Sequence, residues 1–501
     1  MFLGIDLGTS EVKLLLLDEA GRIAGQAGAP LALSRPRPLW AEQAPADWWQ
    51  ATRQAVAVLR AAEPAAFAQV RAIGLSGQMH GAVLLGAQDE VLRPAILWND
   101  GRSHAECAEL EARAPMLHAV AGNLAMPGFT APKLLWVEKH EPAVFDRVRS
   151  VLLPKDWLRL QLTGDKVSEP SDAAGTLWLD VAARDWSDAL LDACHLSRRQ
   201  MPRLVESNQA SGTLRPALAQ AWGLPPGVLV AGGAGDNAAS AIGIGATQPG
   251  DGFVSLGTSG VLFVVDDRFR PNPASAVHAF CHALPQRWHQ MSVMLSAAAC
   301  LKWYAGFSGA PDEAALLAEL AAAPADAWRQ APLFLPYLAG ERTPHNNPFA
   351  QGLFFGLGGG TSRAQGTYAV LEGVAFGMAD GLAALRAAGT EVARLSLVGG
   401  GARSAAWAQL MADALGVEIL RHDGGEAGGA LGAARLAWLA AGGELATVCR
   451  RPPVADRHAP DPQRRGPLRE RLQRFRDLYP AVQPLFARPA EAAAPGDSPA
   501  H

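Results

Sequence analysis

Leu3-Gly4-Ile5-Asp6-Leu7-Gly8-Thr9-Ser10-Glu11-Val12-Lys13-Leu14-Leu15-Leu16-Leu17-Asp18 sets two short apolar runs on either side of a Gly-Thr-Ser turn, a pattern that predicts a β-hairpin. The pattern returns at Phe253-Val254-Ser255-Leu256-Gly257-Thr258-Ser259-Gly260-Val261-Leu262-Phe263-Val264-Val265-Asp266-Asp267, with Leu-Gly-Thr-Ser in common. Each copy opens a domain-sized segment of strand and helix patterns. The chain therefore reads as a duplication: two α/β lobes with a substrate cleft between them. Gly245-Ala246-Thr247-Gln248-Pro249-Gly250-Asp251 has the turn chemistry of a linker, which puts the lobes at 1–247 and 248–484. The remaining 485–501 runs into a small, polar, proline-broken tail, Pro489 to His501, where disorder is expected.

Laying the two hairpins over each other without a gap puts Asp6 on Ser255 and Lys13 on Leu262, with the turn residues unchanged. The hairpin itself thus needs neither charge. An aspartate between Ile5 and Leu7 is costly to bury unless a cation or donor meets it. A solvated strand-end charge is the plain alternative; a place at a metal–phosphate site is the reading preferred here.

The remaining composition narrows the function class. A chain of 501 residues exceeds what one core usually serves. With 49% apolar and 18% charged residues it suits a soluble α/β enzyme. A net charge of −4 with interspersed signs gives no footprint for nucleic acid or anionic membrane, so small-molecule partners are favoured. Asp6 stands where a signal peptide would be basic and then apolar, and no membrane-length apolar run is evident, so a cytoplasmic location is expected. Base rates favour a homodimer. Cys107, Cys194, Cys281, Cys300 and Cys449 are scattered and odd in number, which reads as buried free thiols. His278, Cys281, His282 and His289 suit zinc by type, but their spacing matches neither a paired finger nor an HExxH helix, which argues against a zinc site.

Glycine turns after strands leave N–H groups free to hold phosphate, and Thr or Ser hydroxyls add donors. Gly8-Thr9-Ser10 and Gly257-Thr258-Ser259 both qualify, although such turns are also ordinary hairpin connections. Facing each other, they would clamp phosphate from two sides. Leu395 to Ser404 runs from a strand pattern through Gly399, Gly400 and Gly401 to Ala402 and into a helix, where backbone could approach adenine. Neither GxGxxG nor a P-loop ending in Gly-Lys-Ser/Thr occurs, so dinucleotide dehydrogenases and P-loop kinases lose ground. Val228 to Ser240 reads as strand, glycine turn and helix, with Asp236 and Asn237 at the helix start; capping and catalysis are both open to Asp236. Ile73-Gly74-Leu75-Ser76-Gly77-Gln78-Met79-His80-Gly81 and Trp98-Asn99-Asp100-Gly101-Arg102 could offer polar groups and an aromatic wall to a sugar, or be a structural histidine and a turn.

Taken in order, these segments, with Arg93 to Arg102, Pro127 to Lys133 and Gly235-Asp236-Asn237, resemble the FGGY carbohydrate kinases through about residue 440. The resemblance implies an actin-like, ribonuclease-H-like fold in each lobe, sugar bound by the first and ATP largely by the second. It implies that Asp236 is the general base, that Asp6 serves the metal–phosphate centre and that Met79 and His80 contact a ketose. Gln78-Met79-His80-Gly81 points to D-xylulose, since glycerol kinases carry an arginine-containing stretch there. Ala234 departs from the family's glycine run, and nothing after about residue 450 matches a usable motif.

The expected chemistry follows. Asp236 takes the proton of a terminal hydroxyl while Mg²⁺, anchored by Asp6 directly or through water, neutralises the ATP phosphates. Lys13 and the two Gly-Thr-Ser turns serve the phosphates, Gly400, Gly401 and Ala402 the adenosine, and Trp98 and Asn237 the sugar. A different pentulose or a gluconate-like acid is the alternative substrate. An actin- or heat-shock-like ATPase, or a catalytically silent sugar sensor, is the alternative class.

Overall fold

β1 (Phe2–Leu7) is buried at every position but Asp6, the pattern of a strand covered on both faces. The computed structural model, which describes residues 1–324, 326–422 and 428–486, places it inside a mixed sheet. It pairs antiparallel with β2 (Glu11–Leu17), which meanders into β3 (Ile23–Pro30), and parallel with β4 (Ala72–Gly77). Beyond β4 lie β5 (Ala210–Thr213) and β6 (Leu229–Ala231), giving the order β5-β6-β4-β1-β2-β3; the short β7 (Ala234–Gly235) also pairs with β4.

The second sheet repeats the plan. β8 (Gly252–Leu256) pairs antiparallel with β9 (Gly260–Asp266). Antiparallel pairing continues outward from β9, with β10 (His278–Cys281) as the edge strand beyond β11 (Trp288–Met294), while β12 (Arg394–Val398) and β13 (Glu418–His422) extend the sheet in parallel on the other side of β8 and β14 (Val454–His458) closes it. The order is β10-β11-β9-β8-β12-β13-β14. In both sheets a central strand has antiparallel neighbours on one side and parallel neighbours on the other, the arrangement expected of duplicated actin-like lobes.

One detail of the duplication is corrected. Leu7 faces Val12 in the first hairpin, whereas Leu256 faces Gly260 in the second, whose turn is one residue shorter. The residue across from Ser255, as Lys13 is across from Asp6, is therefore Val261 rather than Leu262.

Five helices position the site: α1 (Pro154–Thr163), α2 (Asp236–Gly243), α3 (Arg363–Ala387), α4 (Gly429–Ala440) and α5 (Pro462–Val482). α3 begins in a capping box between Ser362 and Gln365. Among the described residues it is the one helix long and apolar enough to cross a membrane, a length the sequence reading passed over, and 89% of its apolar window is buried within the protein. α5, in a stretch where the sequence offered no motif, holds the second lobe by a buried pair: Arg471 donates to both carboxylate oxygens of Glu372 on α3, at 2.7 and 2.6 Å.

α4 belongs to the second half of the chain but packs on the first sheet. A Cβ on Gly4 would lie 1.9 Å from the Ala430 carbonyl oxygen, and one on Gly74 1.8 Å from that of Ala433. Only glycine permits this backbone-to-backbone approach. On the helix's other side, Gly432 meets the Ala239 carbonyl of α2 in the same way. A further apolar cluster ties Ala82, Phe129 and Trp178 to Phe253, Phe263 and Phe280, so the two halves share core as well as cleft.

All five cysteines are free and buried. His278, His282 and His289 are buried too, and desolvation pushes all three below the usual histidine range. His278 spends Nδ1 on Asn123, and His289 stacks on Phe263. Among the described residues no group of three or more His, Cys, Asp or Glu gathers to hold a metal. The tail expected to be disordered lies, from residue 487, outside the described residues.

Candidate active site

Because β1, β4 and β7 run parallel, their C-terminal ends open on one edge of the sheet, where ligands of open α/β sheets collect. β1 delivers Asp6, β4 runs into Gln78, Met79 and His80, and β7 runs into Asp236. From the second sheet, β8 ends in Gly257-Thr258-Ser259 and the neighbouring β12 in Gly399 to Ala402.

Asp6 Oδ1 accepts a hydrogen bond from Ser76 Oγ on the adjoining strand at 2.8 Å. Burial raises its carboxyl above the usual range, and the Ser76 hydroxyl only partly offsets this. Helix α4 starts against it: a Cβ on Gly429 would lie 2.7 Å from Asp6 Oδ1. Lys13 is not drawn into this group. Its side chain is 62% exposed and pairs with Glu11 at 3.6 Å.

Asp236 is the first residue of α2 rather than its cap; Gly235 holds the cap position and makes no side-chain bond. The Asp236 carboxylate instead accepts from Asn237, through its backbone N–H at 2.7 Å and its Nδ2 at 2.9 Å. Burial, then the nearby charge of Asp6, push Asp236 up to about 6. Two carboxylates close enough to feel each other mark a centre built for a cation or a proton transfer.

His80 adopts a left-handed backbone conformation, with φ of 70°. Its Nδ1 lies 2.7 Å from the Gly175 carbonyl, so Nδ1 donates there and Nε2 is left as an acceptor. Burial lowers the ring to about 3, which keeps it neutral. Buried Lys133 donates to the His80 carbonyl at 2.8 Å and fixes the loop. Met79 packs against Gly235, where a Cβ would meet its sulfur at 2.9 Å.

Trp98 is 47% exposed and donates through Nε1 to Thr9 Oγ1 at 2.9 Å. Thr9 Oγ1 in turn donates a hydrogen bond to Gln78 Oε1 at 3.0 Å, and Gln78 Nε2 donates to Gln43 Oε1 at 3.1 Å. One sugar candidate, Trp98, and the first phosphate turn thus share one network with Gln78 and Gln43. Gln43 carried no sequence signal, while Gln78 lay beside the singled-out Met79. Asp100 and Arg102, weighed as sugar contacts, are instead joined to each other in a buried pair at 2.7 Å.

In the second lobe Thr258 and Ser259 are exposed at their turn, and Gly399 and Gly401 lie against Leu256 just before it. A cavity of about 300 Å³ runs from Asn237 and Ser240 to Gly399 and Gly400, linking the Asp236 end to the glycine loop. Beside that loop a larger cavity of about 870 Å³ is lined by Trp328, Tyr368, Leu371, Ser404, Ala406 and Gln409. Trp328 had not been singled out, since nothing local to it in sequence points to a ligand.

Residues 1–243 match the N-terminal domain of the FGGY family of carbohydrate kinases and residues 252–441 its C-terminal domain. The xylulose kinase of Escherichia coli (strain K12) is 53% identical over 489 residues, covering 97% of this chain and 100% of that protein. The crystal structure of a xyloylose kinase from Brucella ovis, 52% identical, superposes with a TM-score of 0.93 over 97% of this chain and 99% of that one. The xylulose kinase structure from Rhodospirillum rubrum, 30% identical, gives a TM-score of 0.88 over 97% and 100%.

Proposed function

Because the chain belongs to the FGGY family of carbohydrate kinases and uses ATP as co-substrate, we propose that it converts D-xylulose to D-xylulose 5-phosphate with Asp236 as the base. The observation that carries the site reading is the pair of half-buried carboxylates, Asp6 and Asp236, at the ends of the two strands that flank β4, with the charge of Asp6 helping to raise Asp236. The substrate reading rests on the similarity to xylulose kinases along nearly the full chain.

A ketose hydroxyl is far too weak an acid to ionise at neutral pH. Its proton must pass to a base within about 2.6 to 3.2 Å as the phosphoryl group arrives. Asp236, pushed up to about 6, is ionised at pH 7 yet more basic than an ordinary carboxylate. Asn237 holds one of its oxygens and leaves the other for the hydroxyl. Neutral His80 offers Nε2 as an acceptor to a second sugar hydroxyl, Met79 packs the pocket floor, and Trp98 presents its ring to the sugar's apolar face.

The donor set fits Mg²⁺: Asp6 is a half-buried carboxylate with a single hydroxyl donor, and hard oxygens suit that ion, which takes few protein ligands and several from phosphate. Held there by Asp6, Mg²⁺ would supply positive charge to offset that of the ATP phosphates. Asp6 orients it, and the Gly8-Thr9-Ser10 and Gly257-Thr258-Ser259 turns donate to the phosphates. Lys13 supplies long-range positive charge from the rim. Gly400, Gly401 and Ala402 border the adenosine, whose base fits the adjoining cavity walled by Trp328 and Leu371. The lobes lie at 1–247 and 248–484, the chain works in the cytoplasm, and it pairs as a homodimer.

The deciding experiment is ADP release from MgATP with no sugar, D-xylulose, L-xylulose, D-ribulose, L-ribulose, glycerol or gluconate. Turnover with D-xylulose above all others is expected. Preference for another member would overturn the reading of Met79 and His80, and equal ADP release without sugar would overturn the kinase reading in favour of an ATPase.

A further inference from the structure

Behind the Asp236 loop lies a group of charges with no access to water. Lys155 on α1 contacts Asp156 at 2.7 Å, Asp172 at 3.0 Å and Glu169 at 3.2 Å, and Arg159 contacts Asp156 at 3.3 Å; all five side chains are 0% exposed. Burying ions costs several kcal/mol each unless hydrogen bonds and mutual attraction offset it, and replacing such a group by apolar side chains is often neutral or stabilising. Stability alone therefore gives little reason for the arrangement. Its outward connections do.

Arg159 donates to the Ala231 carbonyl at 2.7 Å and to that of Gly232, the two residues that end β6 and begin the loop to Asp236. Glu169 accepts from the Ser171 N–H and the Ser207 hydroxyl, both at 2.7 Å. Ser171 Oγ in turn accepts the Gly235 N–H at 3.1 Å, and the Ser207 carbonyl accepts the Gly233 N–H at 3.1 Å. Four anchor points within five residues, at 231, 232, 233 and 235, hence hang from this buried group. It also reaches the sugar side, since a Cβ on Gly77, just ahead of Gln78 and Met79, would lie 3.0 Å from Lys155 Cβ.

We infer that Arg159 and Ser171 are positioning residues for the base: the buried group fixes the 231–235 loop so that Asp236 meets the acceptor hydroxyl in line with the phosphoryl group. This rests on Asp236 being the base. Three carboxylates face two cations, and burial pushes Asp172 well above the usual carboxylate range. A proton on Asp172 balances the group and removes any reason for it to swell or admit water near the loop.

The test is a double-mutant cycle. Arg159→Lys keeps the charge but loses the fork that spans the two carbonyls. It is expected to lower kcat about 10- to 100-fold, as small misplacements of reacting groups do, with KM for MgATP and D-xylulose little changed. In an Asp236→Asn background the same change is expected to do nothing further. Ser171→Ala, a milder change that deprives Gly235 N–H of its acceptor, should show the same pattern and serves if Arg159→Lys does not fold. Unchanged kcat in a folded variant, or an equal loss in both backgrounds, overturns the positioning role. Near-full turnover of Asp236→Asn alone overturns the base assignment, and the positioning role with it.

Discussion

Asp236 holds a proton more tightly than a solvated carboxylate because burial and the Asp6 charge both disfavour its ionised form. Removing it should cost about 10² to 10⁴ in kcat with the fold intact, so Asp236→Ala assayed for D-xylulose-dependent ADP release is the direct check. The same shift predicts a pH profile. Below about 6 the base is protonated, and kcat/KM should fall tenfold per unit; in Asp6→Asn the limb should move to lower pH, since a repelling charge has gone. A stability cost follows by linkage. A carboxyl whose folded value exceeds its unfolded one binds more protons when folded, so stability is lost as pH rises from about 4 through 6. Asp236→Asn should therefore melt higher than the parent at pH 8, by up to about 3 kcal/mol, and lose that advantage below pH 4. Asp6 and Asp236 could be singled out in the sequence because a charge within an apolar strand, or after a glycine turn, is anomalous where it stands. Arg159, Gln43 and Trp328 lie in segments that look ordinary, and only chain folding brings them to the ligands or the loop.

At the level of elements, helix α4 sits closer to β1 and β4 than side chains would allow. Gly74→Ala would drive a methyl group into the Ala433 carbonyl, 1.8 Å from its ideal position. It should cost at least about 1 to 3 kcal/mol, read by urea unfolding. Gly306→Ala, inside the helix Ala298–Ser308 with open space where its Cβ would stand, is the control and should be neutral or slightly stabilising. Local signals predicted the hairpins well, down to their turn residues. They missed the one-residue difference between the two, because the register is set by which residues pair across the strands and not by the turn sequence both share. The seat of α4 was hidden for a related reason: Gly4, Gly74 and Gly432 look like separate, unremarked glycines until the helix lies across them.

On the scale of the whole molecule, the candidate residues are divided between two sheets, so the proposed reaction draws on both. Water competes with the sugar hydroxyl for the phosphoryl group, so closure only over bound sugar is the useful design. Sugar-free ATP hydrolysis should be a small fraction of the D-xylulose-dependent rate. Small-angle scattering should give a smaller radius of gyration with sugar and a non-hydrolysable ATP analogue together than with either alone. The duplication and its two lobes were readable because the same turn occurs twice, half a chain apart. The apolar cluster joining Phe129 to Phe280 was not, since it depends on the path of the chain between them.

The crossing of α4 onto the first sheet also bears on how the protein is made. A ribosome finishes β1 within the first ten residues, yet the helix that covers it ends at Ala440. Until then one face of the oldest part of the chain has no lid, and the nascent N-terminal half must wait, exposed, for a segment not yet translated. Cutting the gene between the lobes would leave that half with an open apolar sheet. It should aggregate when made alone and recover solubility when residues 248–486 are supplied from a second message.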